Sequence, residues 1–382
     1  MSKKVIIIRN AYSYDFGGGE RFPVFLAESL AAQQIEPVVV SSNNTLLNFT
    51  RDRGVKAVHG WWWSRQQWNS WRIALFPIYV IWQFMLYWWY RQLFAKEKPS
   101  AVHIQSKDDF IAATYAAKHF GAAVVWTDHA DLKHVWRNVT TPFKNPVGKW
   151  VYRVAQKADA ITVVSESELQ EVSAHLPPES PIHTLLKVVY NGCPDVISAY
   201  PHDSSSDTTS YIMASRLVTD KGVGEAITAF KQLHEKYPKT ELRIAGDGPE
   251  KETFISLAKD IDAVTFMGHQ TDPYEVISEA DVFLQPTYHE GFSVVLIEAS
   301  MLEKPIIATA VGGNVEIIHD KETGLLVPAK DTQSLAAAME ELFVDKALRD
   351  TLAKNARAQY EKKFVFDVIV KKEFIPLYET TR

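Results

Sequence analysis

Short apolar runs alternate with amphipathic stretches along almost the whole chain, and the pattern occurs twice. In the first half, Val5–Ile8, Val38–Val40, Ala101–Ile104, Ala122–Trp126 and Ala160–Val164 read as buried parallel strands. Helical stretches such as Arg21–Gln33 and Asp109–His119 lie between them. In the second half, Ser210–Ala214, Thr240–Ala245, Ala263–Met267, Asp281–Leu284 and Pro305–Ala308 read as strands, with helical stretches at Val223–Tyr237, Glu250–Lys259 and Val294–Leu302. Strands that alternate with helices imply doubly wound α/β sheets. The expected organisation is a first domain over 1–190, a linker over 191–209 and a second domain over 210–363. A C-terminal helix over 364–382 then leaves the second domain and is free to pack back on the first. The linker is marked by Asn191-Gly192 and by the polar run Pro201-His202-Asp203-Ser204-Ser205-Ser206-Asp207.

A chain of 382 residues is long enough for two ordinary domains. Its single cysteine, Cys193, rules out an intramolecular disulfide and offers no cysteine-based metal site, which fits a reducing cytoplasm. The apolar run after Lys3 and Lys4 is too short for a signal peptide and reads as a first strand. The net charge of −5 divides into +6 over residues 1–190 and −11 over 191–382. The basic half suits an anionic membrane or acceptor, or is ordinary surface variation. No recognition motif or basic stripe supports nucleic acid binding.

Three strand-to-helix junctions carry residues suited to phosphate or sugar. Asp15-Phe16-Gly17-Gly18-Gly19-Glu20 follows the first strand, and its glycines permit close backbone approach to a ligand, or simply a turn. The spacing is not G-x-G-x-x-G, and the second strand ends in Val40-Ser41-Ser42 without an acid for a ribose, which weakens a dinucleotide reading. In the second half, Ser215-Arg216-Leu217 and Lys221-Gly222 follow a strand. A planar guanidinium and a compact ammonium five residues on can meet a diphosphate, or be two solvated cations. Glu290-Gly291-Phe292-Ser293-Val294-Val295-Leu296-Ile297-Glu298 follows the strand Asp281–Leu284, which Pro286 stops. Ser293 is placed to cap the next helix, whose first N–H groups suit a phosphate. Two acids beside a phosphate are costly as charge, so Glu290 and Glu298 are better suited to hydroxyls, such as those of a sugar and a ribose. In open α/β sheets this crevice past the strands' carboxyl ends is where ligands bind. His129 follows the strand Ala122–Trp126 and is placed to position a sugar hydroxyl or to serve as packing. No His-Glu-x-x-His occurs, and Asp260-Ile261-Asp262 reads as solvated rather than metal-ligating.

Together these segments resemble the retaining glycosyltransferases of family 4, with the GT-B fold. The resemblance covers nearly the whole chain and rests on E-x7-E from Glu290 to Glu298. It is supported by the ordered set Gly17-Gly18-Gly19-Glu20, His129, Asn191-Gly192, Ser215-Arg216-Leu217, Lys221-Gly222, Gly246-Asp247-Gly248, Phe266-Met267-Gly268, Val311-Gly312-Gly313 and Thr323-Gly324-Leu325. It implies two Rossmann-like domains facing a central cleft and a nucleotide-sugar donor. Arg216 and Lys221 would hold the diphosphate, Glu298 the ribose and Glu290 the transferred sugar. The backbone of Phe292, Ser293 and Val294 would complete those contacts, and Met267 would lie near the base. Gly17 and Gly18 would approach the donor from the first domain, and His129 would reach the sugar from that side. The catalytic set is then His129, Glu290, Arg216 and Lys221, with no divalent metal and no cofactor. Ser293 stands where glycine commonly follows Glu-Gly-Phe, Glu303 where glycine often precedes Lys-Pro, and the Asn191–Asp195 loop carries an extra residue. A nucleotide-sugar epimerase of the same fold and a non-catalytic binding scaffold are the competing functions.

Eight of the eleven tryptophans fall between Trp61 and Trp89, and residues 73–90 carry no charge between Arg72 and Arg91. A bilayer span would put the first two strands across the membrane from the rest of their sheet. Interfacial insertion avoids that problem, with Trp and Tyr at headgroup depth and Arg51, Arg53, Arg65, Arg72 and Arg91 on anionic lipid; burial at a contact is the other reading. Insertion implies a lipid-linked or cell-envelope glycan acceptor and a peripheral place at the inner face of the cell membrane, with residues 61–94 as the membrane-facing segment.

Overall fold

The computed structural model describes residues 3–10, 18–61, 76–129, 132–141, 145–201 and 207–379. They form two units, one of residues 1–190 with 366–382 and one of residues 191–365. Residues 366–382 therefore group with the first sheet, while 364 and 365 stay with the second.

In unit 1, seven parallel strands are ordered β3-β2-β1-β4-β5-β6-β7. They are β1 (Lys4–Ile8), β2 (Glu36–Ser41), β3 (Lys56–His59), β4 (Ala101–Ile104), β5 (Ala123–Asp128), β6 (Ala160–Val163) and β7 (Leu186–Val188). Order reverses between β1 and β4, and Ile8 sits opposite Val40 on one side and Ile104 on the other. Alternate side chains feed separate cores. Ile6, Ile8, Val102, Ile104 and Trp126 pack with Leu86, Tyr90 and Phe94 of the helix Phe76–Glu97. Val5, Ile7, Ala101, Ala123 and Val125 pack with Phe22, Leu26 and the C-terminal residues Phe366, Phe374 and Tyr378. The C-terminal segment runs as Phe366–Ile369, a π-turn Val370–Phe374 and Ile375–Glu379. Buried His103 pins it, with Nδ1 2.6 Å from Tyr378 Oη and Nε2 2.5 Å from Thr127 Oγ1. Burial holds the His103 imidazole down at a pKa of about 3.

In unit 2, six parallel strands are ordered β10-β9-β8-β11-β12-β13. They are β8 (Thr209–Ala214), β9 (Thr240–Ala245), β10 (Val264–Gly268), β11 (Val282–Gln285), β12 (Ile306–Thr309) and β13 (Leu325–Val327). Order reverses between β8 and β11, which places loops from both strands over one edge of the sheet. The expected strands are all present, and the sheets gain β3, β7 and β13 at or next to their edges.

The helix Phe76–Glu97 has two faces. Tyr79, Gln83, Leu86, Tyr90, Phe94 and Glu97 are buried, and Glu97 accepts from Lys4 and Lys56. On the opposite stripe Ile78, Ile81, Phe84, Met85 and Trp88 are exposed. No helix among the described residues is long and apolar enough to cross a membrane. Trp62, Trp63, Arg65, Trp68, Trp71 and Arg72 lie outside the described residues.

Candidate active site

The β8/β11 switch point of unit 2 brings together residues far apart in sequence. A short turn, Thr219–Lys221, ends on Gly222, whose φ of +71° reverses the chain before the helix Val223–Lys236. Past β11, Thr287 donates to the Asp220 carbonyl at 3.0 Å, and the Tyr288 N–H donates to the same carbonyl at 2.8 Å. These bonds lock the Lys221 turn onto the Glu290 loop. Lys221 Nζ then lies 2.7 Å from Glu290 Oε2, with both side chains about one-fifth exposed (21% and 19%). Gln285 at the end of β11 donates weakly to the same oxygen at 3.4 Å.

Ser293 follows with φ −82° and ψ 104°, and its hydroxyl accepts from the Leu296 N–H, capping the helix Val294–Met301. Glu298 is on that helix, 4% exposed, and its charge adds to the burial that pushes the neighbouring Cys193 thiol up. Phe292 and Ser293 are buried and Val294 half-buried. The Glu290 loop is backed by glycines after β12. Gly312 has φ +45°, and a Cβ there would lie 1.8 Å from the Glu290 carbonyl oxygen. The Gly313 N–H donates to that oxygen at 3.2 Å.

Arg216 follows β8 and is exposed, and its guanidinium makes no ion pair among the described residues. Met267 near the end of β10 is half-buried, and its carbonyl accepts from Gln270 Nε2 at 2.8 Å. The structure thus pairs Lys221 with Glu290 directly and sets Arg216, Met267, Phe292, Ser293 and Val294 at carboxyl ends of the same sheet. Sequence reasoning passed over Asn314. It is fully buried past β12, with Nδ2 on the Thr309 carbonyl and Oδ1 unmet by any protein group. A lone asparagine after two glycines carries no signal of that kind.

In unit 1, Gly17 lies outside the described residues, and Gly18 opens the helix Gly18–Ala32. His129 directly follows β5 and packs edge-on to Phe22, with ring centres 5.3 Å apart. Burial, with the charge of Arg9, holds its pKa well below the usual histidine value, so the ring is neutral at pH 7. Its Nε2 is sealed from solvent and meets no protein partner. Among the described residues no cluster of three or more His, Cys, Asp or Glu is placed to share a metal ion.

Two doubly wound parallel sheets, the second with cation, acid and capped helix start at its switch point, define the GT-B class of fold. The chain belongs to the glycosyltransferases: residues 16–194 match the Glycosyltransferase Family 4 model and residues 201–359 the Glycosyl transferases group 1 model. A capsular polysaccharide biosynthesis glycosyltransferase of Staphylococcus aureus is 33% identical over 40% of this chain and 42% of its own length. That is about two-fifths of the relative. The alpha-D-kanosaminyltransferase of Streptomyces kanamyceticus is 28% identical over 70% of this chain and 74% of its own. Among solved structures, the Anabaena protein HepE in complex with UDP and glucose superposes with a TM-score of 0.75 at 17% identity, covering 99% of this chain and 100% of that one.

Proposed function

We propose that this protein is a retaining glycosyltransferase that moves a sugar from a nucleoside-diphosphate sugar to a hydroxyl of a glycan acceptor. The observation that carries it is the Lys221–Glu290 pair at the switch point of the second sheet, with exposed Arg216 past β8 of the same sheet. Lys221 and Arg216 supply the cations a departing diphosphate needs, and preorganised charge of this kind is typically the largest contribution to such catalysis. The capped helix start at Ser293 adds N–H groups aimed at the same anion. Glu290 takes the transferred sugar's hydroxyls and Glu298 the ribose, with Met267 beside the base. His129, held neutral, meets a sugar hydroxyl through Nε2, which donates or accepts according to the tautomer. The bond between the anomeric carbon and the diphosphate breaks as the acceptor oxygen attacks from the same face. The acceptor's proton passes to the departing phosphate oxygen. With two cations in place, a divalent metal is not required.

The donor base is proposed to be uracil, in keeping with the UDP seen in HepE. A thermal-shift panel of UDP-, GDP- and ADP-sugars tests donor choice. Anomeric NMR of the product, in EDTA, tests retention and metal independence. Net epimerisation of the donor without acceptor would favour the epimerase reading, and no nucleotide binding the scaffold reading.

The acceptor is proposed to be lipid-linked, with the protein peripheral at the inner face of the cell membrane. The exposed stripe Ile78, Ile81, Phe84, Met85 and Trp88 supports this, with the Arg91 guanidinium 4.8 Å from the Trp88 ring centre. Apolar groups flanked by an interfacial cation suit an anionic headgroup layer. The role of the Staphylococcus aureus relative in capsular polysaccharide biosynthesis is in keeping with a cell-envelope glycan acceptor. Flotation with anionic vesicles at low salt tests it.

A further inference from the structure

We propose that Gln105 binds the acceptor, gripping two adjacent hydroxyls of its terminal sugar at the carboxyl edge of the unit 1 sheet. The inference rests on the glycosyltransferase reading and adds a residue that no motif marks.

Gln105 is the first residue past β4 and is 2% exposed. Its backbone is fixed: its N–H donates to the Ile8 carbonyl at 2.9 Å, and its carbonyl accepts from Arg9 Nη1 at 2.9 Å. Its side chain is a different matter, because among the described residues neither Nε2 nor Oε1 meets a protein group. The other buried glutamine of this region behaves in the opposite way. Gln83 donates to the Asp108 carbonyl at 2.8 Å and accepts from the Ala112 N–H at 3.1 Å. Asn10, beside Arg9, likewise uses its amide fully, donating to Asp109 and accepting from Ser42. Buried amides are normally satisfied, so one unmet at both ends requires a reason.

Strand alternation places Gln105 with Arg9 and His129. Gln105 directly follows β4, two residues past His103, and its ladder bond to Ile8 carries the alternation on to it. His129 directly follows β5, two residues past Thr127, and its ring packs on Phe22 of the same core. His103 hydrogen-bonds Thr127 at 2.5 Å, which puts all four on the same face. Arg9 follows Val5 and Ile7 on that face of β1. The Arg9 charge also contributes to keeping His129 neutral. Three neighbouring strand ends therefore present a guanidinium, a primary amide and a neutral imidazole whose Nε2 is also unmet.

The chemistry of this set selects its ligand. A primary amide offers one acceptor and two donors side by side. A vicinal diol matches it, one hydroxyl donating to Oε1 while the other accepts from Nε2. An acceptor lacking paired hydroxyls would leave the amide as unmet as before, which selects against it.

The test uses the full chain saturated with UDP and probes it with methyl α-glucopyranoside, methyl α-galactopyranoside and methyl α-mannopyranoside by saturation-transfer NMR. The wild type is expected to bind at least one of them, and Gln105→Met, which keeps the volume but removes both polar ends, to bind it at least ten-fold more weakly. Its UDP affinity should stay within about two-fold, and its Tm should not fall. On the wild type alone, deoxy analogues lacking one hydroxyl of the gripped pair should show the same loss. Equal glycoside binding by both proteins, no glycoside binding by the wild type, or a fall in Tm in Gln105→Met with glycoside binding intact would overturn the assignment, the last by showing an amide satisfied by sealed water. If the wild type fails to bind UDP, the glycosyltransferase reading falls and takes this assignment with it. Intact UDP binding with no Gln105 effect removes this assignment alone.

Discussion

Lys221 Nζ and Glu290 Oε2 stand 2.7 Å apart, 69 residues apart in sequence, at the switch point of the second sheet. The cation assigned to the diphosphate is thus engaged before any diphosphate arrives. A donor must draw Lys221 away from Glu290 or share it. Glu290→Gln should therefore raise UDP affinity, by about three- to ten-fold, while lowering transfer by about 10²–10³-fold, because the grip on the reacting sugar is lost. Parallel losses in both measurements would contradict this reading of the pair.

Gly312→Ala should disable the same loop from behind. The added Cβ meets the Glu290 carbonyl oxygen at 1.8 Å, and φ of +45° is unfavourable for alanine. Backbone on backbone cannot yield by a rotamer change. The expected cost is about 1–3 kcal/mol in stability, read by urea denaturation, with transfer falling further as Glu290 shifts. Unchanged stability and activity would show the loop to be more pliant than its packing indicates.

The buried histidine under the C-terminal segment sets an acid limit. His103 titrates at about 3 when folded, against about 6.5 in an unfolded chain. Its depressed value means that the folded state resists the proton. The contribution is intact above pH 6.5 and is lost as pH falls from 6.5 towards 3, at up to about 1.4 kcal/mol per pH unit. Thermal melts from pH 7 to pH 5 should fall more steeply for the wild type than for His103→Gln, although the variant starts lower. Parallel curves would contradict the assignment.

The exposed stripe of the helix Phe76–Glu97 is predicted to act at a membrane without supporting the fold. Phe84 is 60% and Trp88 46% exposed. The double change Phe84→Ser with Trp88→Ser should leave stability within about 0.5 kcal/mol per site. Vesicle binding should weaken more than ten-fold, since each side chain buried in lipid contributes about 1.5–3 kcal/mol. Full-strength flotation of the variant, or none by the wild type, would count against lipid insertion.

The central strands were legible because strands buried on both faces must be apolar throughout, as Val5–Ile8 and Val38–Val40 are. The outlying strands were not. Lys56–His59 is half exposed and mixes charge with apolar residues, and Leu186–Val188 and Leu325–Val327 are too short for a periodic signal. Ser293 was readable as a cap because capping is local. The Lys221–Glu290 pair was readable only as two residues suited to the same ligand, since their contact depends on the Thr287 and Tyr288 bonds to Asp220. The docking of Tyr378 on His103 spans 275 residues and leaves no local trace. Gln105 was passed over for a related reason: a glutamine after a strand looks solvated, and its unmet amide emerges only once Ile8, Arg9 and their neighbours are in place.

The most direct test of the central claim is a calorimetric titration of UDP into the wild-type protein and Lys221→Ala. A charge-assisted hydrogen bond is worth about 1.5–3 kcal/mol, so the variant should bind UDP about 10- to 150-fold more weakly. Equal affinity in the two proteins, or no binding by the wild type, would contradict a diphosphate site at Lys221.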